Sequence, residues 1–137
     1  MVRFYMEKIA IDQFAIVQKD LPEGNLSLDT EISYKVSEES KAVACIVNFR
    51  FHKENEPLLI LGCICFFKIN PEDWESMTDG ENFKLPQETL EILAVHTIGT
   101  SRGIMYCKTE GTAYNNLIIP PLNVRDILRK QPLEHNT

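Results

Sequence analysis

Nothing in the sequence approaches the run of ~20 apolar residues that a helix needs to cross a bilayer. The strongest candidate, Leu58 to Phe67, runs straight into Lys68 and a polar stretch, so no membrane insertion is expected. The opening Met1-Val-Arg-Phe-Tyr-Met-Glu also lacks the apolar core and small-residue cleavage site of a secretory signal. Cysteine is sparse, at Cys45, Cys63, Cys65 and Cys107. Four cysteines permit two bridges, but without an export signal the expectation is a cytoplasmic protein with reduced thiols. Positive charge is scarce as well: 14 Lys and Arg stand against 20 Asp and Glu, for a net charge of -6. That balance opposes a phosphate-backbone binder, so nucleic acid is not an expected partner. There are no internal repeats and no low-complexity tracts. The 137 residues, 44% apolar, suffice for one core but not for two comfortable domains. A single domain over residues 1–137 is expected, with 129–137 as a flexible tail.

What is present is alternation. Arg3 to Gln18 alternates loosely through Phe4 and Met6, then Phe14 and Ile16, which predicts a strand broken near Asp12. After the loop Leu21-Pro-Glu-Gly-Asn, a cleaner pattern sets Leu26, Leu28, Thr30, Ile32, Tyr34 and Val36 on one side and polar residues on the other. This is a half-buried strand with one wet face. A turn at Ser37 to Lys41 leads to a third strand, about Ala42 to His52, and Lys53-Glu-Asn-Glu closes a hairpin into a fourth, about Leu58 to Ile69. With Glu54 and Asn55 at the tip, Asn48 opposes Leu61 and Ile46 opposes Cys63. One face then holds Val43, Cys45, Val47, Phe49, Leu58, Ile60, Ile64 and Phe66. A slip by one residue exchanges partners between faces, but the fourth strand is apolar on both sides in either register. The hairpin therefore carries more apolar surface than one sheet face under one helix can bury.

Asn70 to Lys84 reads as a polar, acidic connection. Leu85-Pro-Gln-Glu then suits a helix start, with proline in the first turn and Glu88 at the positive end of the dipole, and the helix is expected to run to about Lys108, ended by Gly111. One stripe, Leu90, Leu93, Ala94, Thr97, Ile98, Ser101 and Met105, should pack on the sheet. A second, Ile92, Val95, Gly99, Gly103 and Tyr106, has small residues at its centre. Each helix-interior glycine costs about 1 kcal/mol relative to alanine, so this stripe calls for a second packing partner. Leu117 to Ile119 should be extended ahead of Pro120. Asn123 can cap a short final helix whose apolar side is Val124, Ile127 and Leu128.

The order of four antiparallel strands, long helix, extended segment and Ile119-Pro-Pro-Leu-Asn-Val-Arg-Asp-Ile-Leu resembles the SecB-like chaperone family. The family carries a comparable apolar-Pro-(Val/Ile/Leu)-Asn-(Phe/Val)-x-x-Leu stretch before its last helix, matched here by Pro121, Leu122, Asn123, Val124 and Leu128. Arg102 falls where the family's long helix often has an arginine. The resemblance spans roughly Phe4 to Leu128, and its specific signal lies in about ten residues. It implies an α+β fold of four antiparallel strands followed by a long helix and a short C-terminal helix. It also implies a homotetramer built as a dimer of dimers, with no enzymatic activity and no cofactor, that holds unfolded or nascent polypeptide in apolar grooves. Client contacts are then expected at Leu26, Leu28, Trp74, Ile118, Ile119, Leu122, Val124, Ile127 and Leu128. Subunit contacts are expected at Phe4, Met6, Ile92, Val95, Gly99, Gly103 and Tyr106. The export chaperone engages a translocation ATPase through a glycine- and acid-rich tail, which Arg129-Lys-Gln-Pro-Leu-Glu-His-Asn-Thr does not match, so that docking is in doubt. A dedicated client such as an antitoxin fits at least as well as export. The alternative is an oligomeric structural or adaptor protein that keeps the fold without holding clients.

Competing chemistry is weaker. Cys63 and Cys65 share a strand face and Cys45 can lie beside them, but structural zinc wants four ligands, usually from loops, and buried cysteine is a common small hydrophobe. His96 and Cys107 return to one helix face after eleven residues, yet at 1.5 Å per residue they stand about 16 Å apart, beyond proton transfer. His52 and His135 read as solvated. The acidic run around Glu72 and Asp73, with Asp79 and Glu81, lacks the regular spacing of a calcium loop. Trp74 within it either covers an apolar groove or pins the loop to the domain.

Overall fold

A computed structural model describes residues 1–80 and 82–131. Four long strands come first: β1 (Phe4–Ile16), β2 (Ser27–Ser37), β3 (Ala42–Lys53) and β4 (Glu56–Ile69). Then follow α1 (Pro71–Ser76), a two-stranded ribbon of β5 (Thr78–Asp79) and β6 (Asn82–Phe83), the long helix α2 (Gln87–Lys108) and the short helix α3 (Val124–Lys130). The sheet is antiparallel throughout, in the order β1-β4-β3-β2.

Glu54 and Asn55 form the tip of the β3–β4 hairpin, both with positive φ (52° and 68°), as a tight hairpin turn requires. Lys53 pairs with Glu56 and His52 with Pro57, but Phe51 pairs with Leu59, so Leu58 is an extra residue on β4. This bulge corrects the register expected from the turn: Asn48 opposes Gly62 rather than Leu61, and Ile46 opposes Ile64 rather than Cys63. The Leu58 carbonyl is not wasted, since it accepts from the Val17 amide at 2.8 Å. Past the bulge every β4 side chain changes face relative to the expectation. The buried face pairs Val43, Cys45, Val47, Phe49 and Phe51 with Phe67, Cys65, Cys63, Leu61 and Leu59. Ala44, Ile46, Ile60, Ile64 and Phe66 are half-buried on the outer face. Gly62 leaves room there for Asn48, whose side-chain oxygen a Cβ would meet at 2.6 Å unless it moved.

The break expected at Asp12 is a bulge inside a continuous β1, and a second lies at Glu7. Together they shift the inward parity twice. Phe4 and Met6 oppose inward residues of β4, Ile9 and Ile11 do so next, and Phe14 and Ile16 resume the even phase.

The inner face lies under α2. Leu90, Leu93, Ala94, Thr97, Ile98, Ser101 and Met105 are all buried, as their spacing predicts. The helix starts after Pro86, and the Thr109 hydroxyl donates to the Met105 carbonyl at its end, before Gly111 turns at φ 78°. Tyr34, from β2, donates its hydroxyl to the Leu90 carbonyl at 2.6 Å and ties helix to sheet.

The acidic connection is more ordered than a solvated loop. The Asn70 side chain accepts from the amides of Glu72 and Asp73, Pro71 opens the helix, and α1 forms. Arg3 donates to Asp73 from both its backbone amide and its Nε, each at 2.9 Å, fastening the start of β1 to α1. At the start of the expected tail, Arg129 and Lys130 end α3 and the Gln131 side chain bonds to β2. Residues 132–137, including His135, lie outside the described residues.

Candidate polypeptide-binding surface

The C-terminal segment is built from its prolines outward. Pro120 and Pro121 have no amide hydrogens and interrupt regular backbone pairing here, and the Ile119 and Pro120 carbonyls take their hydrogen bonds from a side chain. Arg102 supplies both bonds, its Nε donating to Ile119 at 2.7 Å and a terminal nitrogen to Pro120 at 2.8 Å. Two residues beyond the prolines, the Asn123 side chain accepts from the Asp126 amide and starts α3. Arg125 reaches back across the seam to Glu91 on α2 at 2.9 Å. Upstream, the fully buried Tyr114 donates its hydroxyl to the Gln18 carbonyl at 2.7 Å and joins the post-helix turn to the end of β1.

Two clefts follow this seam. One of about 580 Å³ is lined by Val95, Pro121, Leu122, Asn123 and Val124 together with Glu91 and Arg125. The other, about 460 Å³, continues from the same ion pair past Leu128 and Arg129 to Gln131.

The residues expected to touch a client divide by burial. Ile119, Val124 and Leu128 belong to the core. Leu26, Leu28, Leu122 and Ile127 are half-buried at its rim. Ile118 is 67% exposed. Trp74 is buried and stacks on Phe83 with ring centroids 4.0 Å apart, so in this chain it pins the acidic segment rather than projecting from it.

The residues expected at subunit contacts gather around β1 and the open side of α2. Phe4 meets Phe67 and His96 edge-on, at 5.6 and 5.8 Å. Val95 and Tyr106 are each 57% exposed, Ile92 is half-buried, and Gly99 and Gly103 face open space. Met6 is exposed beside them, and so are Ile9 and Ile11, which sequence reasoning missed because the bulges at Glu7 and Asp12 hide their phase.

The groups weighed for chemistry do not converge. Cys45, Cys63 and Cys65 are buried free thiols under α2, while Cys107 is exposed. Burial pushes the Cys45 thiol up to about 12, and the neighbouring Cys65 together with burial raises Cys63. No three His, Cys, Asp or Glu side chains among the described residues are grouped as a metal set. His52 is more enclosed than expected, its side chain 12% exposed, with Nε2 3.1 Å from an Asp29 oxygen that also faces Arg50 at 3.3 Å.

No family model matches the chain, and no curated protein matches it by sequence. Among solved structures, the chain is similar to the Rv1957 SecB-like chaperone of Mycobacterium tuberculosis, determined with a ChAD peptide from the Rv1956 HigA1 antitoxin. The TM-score is 0.55 at 14% identity, covering 88% of this chain and 91% of that one. The fold is SecB-like. A protein of unknown function from Streptococcus agalactiae is also similar, with a TM-score of 0.47 at 16% identity, covering 90% of this chain and 99% of that one. The four-stranded sheet, long helix and short C-terminal helix of the SecB-like fold are all present. No helix among the described residues is long and apolar enough to cross a membrane.

Proposed function

We propose that this chain is a holdase, a chaperone that binds unfolded or nascent polypeptide through apolar surface and performs no covalent chemistry. The observation that carries the reading is the half-exposed apolar rim, Leu26, Leu28, Leu122 and Ile127 with the open Ile118, on a SecB-like fold. A client segment buried along the α2–α3 seam would gain about 25 cal/mol per Å² of apolar surface, less the cost of ordering it. The similar mycobacterial chaperone binds an antitoxin peptide, which favours a dedicated client of that kind over a general export role. Free thiols fit a reducing, cytoplasmic setting. The exposed Met6, Ile9, Ile11, Val95 and Tyr106 are assigned to contacts in a homo-oligomer, a dimer of dimers, since a patch of this kind is a common mark of an interface.

The test is light scattering from a chemically unfolded client diluted into the purified protein. The reading expects aggregation to slow at stoichiometric concentration without nucleotide. Unchanged aggregation, with a stable oligomer that binds no apolar dye, would leave only an assembly role for the apolar surface.

A further inference from the structure

Among the described residues the outer edge of β2 has no strand beside it, and at one point a side chain takes the place of one. The Gln131 carboxamide accepts from the Ile32 amide at 3.0 Å and donates to the Ile32 carbonyl at 2.7 Å. A primary amide that bonds both the N–H and the C=O of one residue reproduces the paired hydrogen bonds of an antiparallel neighbour. Ile32 thus turns both groups away from β3. The β2–β3 pairing is unbroken from Ser27 to Ser37, so the same parity turns the amides and carbonyls of Leu28, Thr30, Tyr34 and Val36 to this edge. Among the described residues, no group other than Gln131 forms a hydrogen bond to the backbone of these five positions on that side. The eleven residues of β2 contain neither proline nor a bulge, two of the devices that blunt an edge, although Asp29, Glu31 and Lys35 place charge along it.

We infer that the free edge of β2, centred on Ile32, is a strand-addition site for an extended client segment, and that the Gln131 carboxamide occupies it when no client is bound. The occupant is a polypeptide backbone in β conformation, because the primary amide now seated there offers the same donor and acceptor pair as a peptide backbone. Its hydrogen bonds would be indifferent to client sequence. Selectivity would come from alternate side chains, one set meeting the inner side of β2, where Leu28 and Tyr34 are half-buried, and the other meeting Asp29, Glu31 and Lys35. The inference rests on the holdase reading and names how that client is held. The side chain of Gln131 also stands at the end of the cleft along the α2–α3 seam, so a segment in that cleft can continue onto the edge once Gln131 swings aside.

The experiment is amide hydrogen exchange on the full chain, free and with reduced, carboxymethylated α-lactalbumin, which stays unfolded. Thr30 and Tyr34 are the reporters, since their amides face the edge while Glu31 and Ser33 are already bonded to β3. Binding should slow exchange at Thr30 and Tyr34 by tenfold or more. In parallel, Gln131→Ala should raise client affinity roughly two- to tenfold by removing a competitor for two hydrogen bonds. Thr30→Pro, which deletes an outward donor but no bond to β3, should lower it. Client bound with no new protection at Thr30 or Tyr34 would overturn the strand-addition site and leave the holdase reading standing. A client that does not bind at all would remove both.

Discussion

Arg102 on α2 and Ile119 in the segment after it are joined by a 2.7 Å hydrogen bond, and the same guanidinium bonds the next carbonyl, that of Pro120. A single planar side chain therefore sets where the C-terminal segment leaves the core. Lysine carries the charge but not the fork. Arg102→Lys should cost about 1 to 2 kcal/mol in urea unfolding. It should also speed amide exchange in α3 more than in the sheet, because the segment feeding α3 loses its anchor. Equal loosening of both would mean that Arg102 acts on the whole domain.

The thiols should separate sharply. In the native chain only Cys107 is exposed. Burial raises the Cys45 thiol, the Cys65 hydrogen bond together with burial raises Cys63, and Cys65, lowered by its hydrogen bond with Cys63, is kept from the reagent by its burial under α2. Titration with a thiol reagent at pH 8 should therefore find one fast group in the folded protein and four in denaturant. A second fast thiol in the folded state would show that α2 lifts from the sheet.

Acid should loosen the start of β1 only after the ordinary carboxylates have taken up protons. The Arg3 side chain, followed by its backbone amide, holds the Asp73 carboxyl below its ordinary value. A carboxyl depressed in the folded state contributes stability that is fully present above its unfolded value, about 3.9, and is lost as pH falls through the lower folded one. Asp73→Asn should remove this part of the acid response. Fluorescence of Trp74, one residue away in α1, would follow it, and identical acid titrations of the two proteins would exclude the linkage.

The second stripe of α2 makes a two-sided prediction. A Cβ at Gly99 or Gly103 meets nothing within 4 Å in this chain, so alanine at either should stabilise the isolated chain by up to about 1 kcal/mol. Leucine at both projects farther from the helix and would hold a second subunit away. Light scattering should then show a smaller particle for the double leucine variant. An unchanged mass would move the subunit contact off this face.

Much of the fold was legible because its periodicities are undisturbed. The β2 alternation, the buried stripe of α2 and the Asn123 cap all depend on spacing within a few residues, and each is found where expected. What was hidden depends on single extra residues. Leu58 shifts the β3–β4 register by one although the Glu54–Asn55 tip was placed correctly, and the bulges at Glu7 and Asp12 conceal Ile9 and Ile11 as inward-facing. The acidic segment looked like loop because its capping device, Asn70 and Pro71, sits at its very edge and its apolar anchor is one stacked pair, Trp74 and Phe83. Among the candidate client residues, composition could not separate core from rim. Ile118 and Ile119 are adjacent and identical, yet one is open and the other buried. Gln131 was unreadable for a different reason, since nothing local marks a glutamine that bonds across 99 residues.

The strand order has a consequence in time. β2, β3 and β4 form a meander that can close as each strand is made, but among the described residues β1 pairs only with β4, and Phe4 waits for Ile69. At about 5–20 residues per second of synthesis, that wait lasts several seconds. Throughout it, Tyr5, Met6, Ile9 and Ile11 lie on a strand without a neighbour. Until the fourth strand is complete, the nascent chain is itself the kind of polypeptide that a holdase protects.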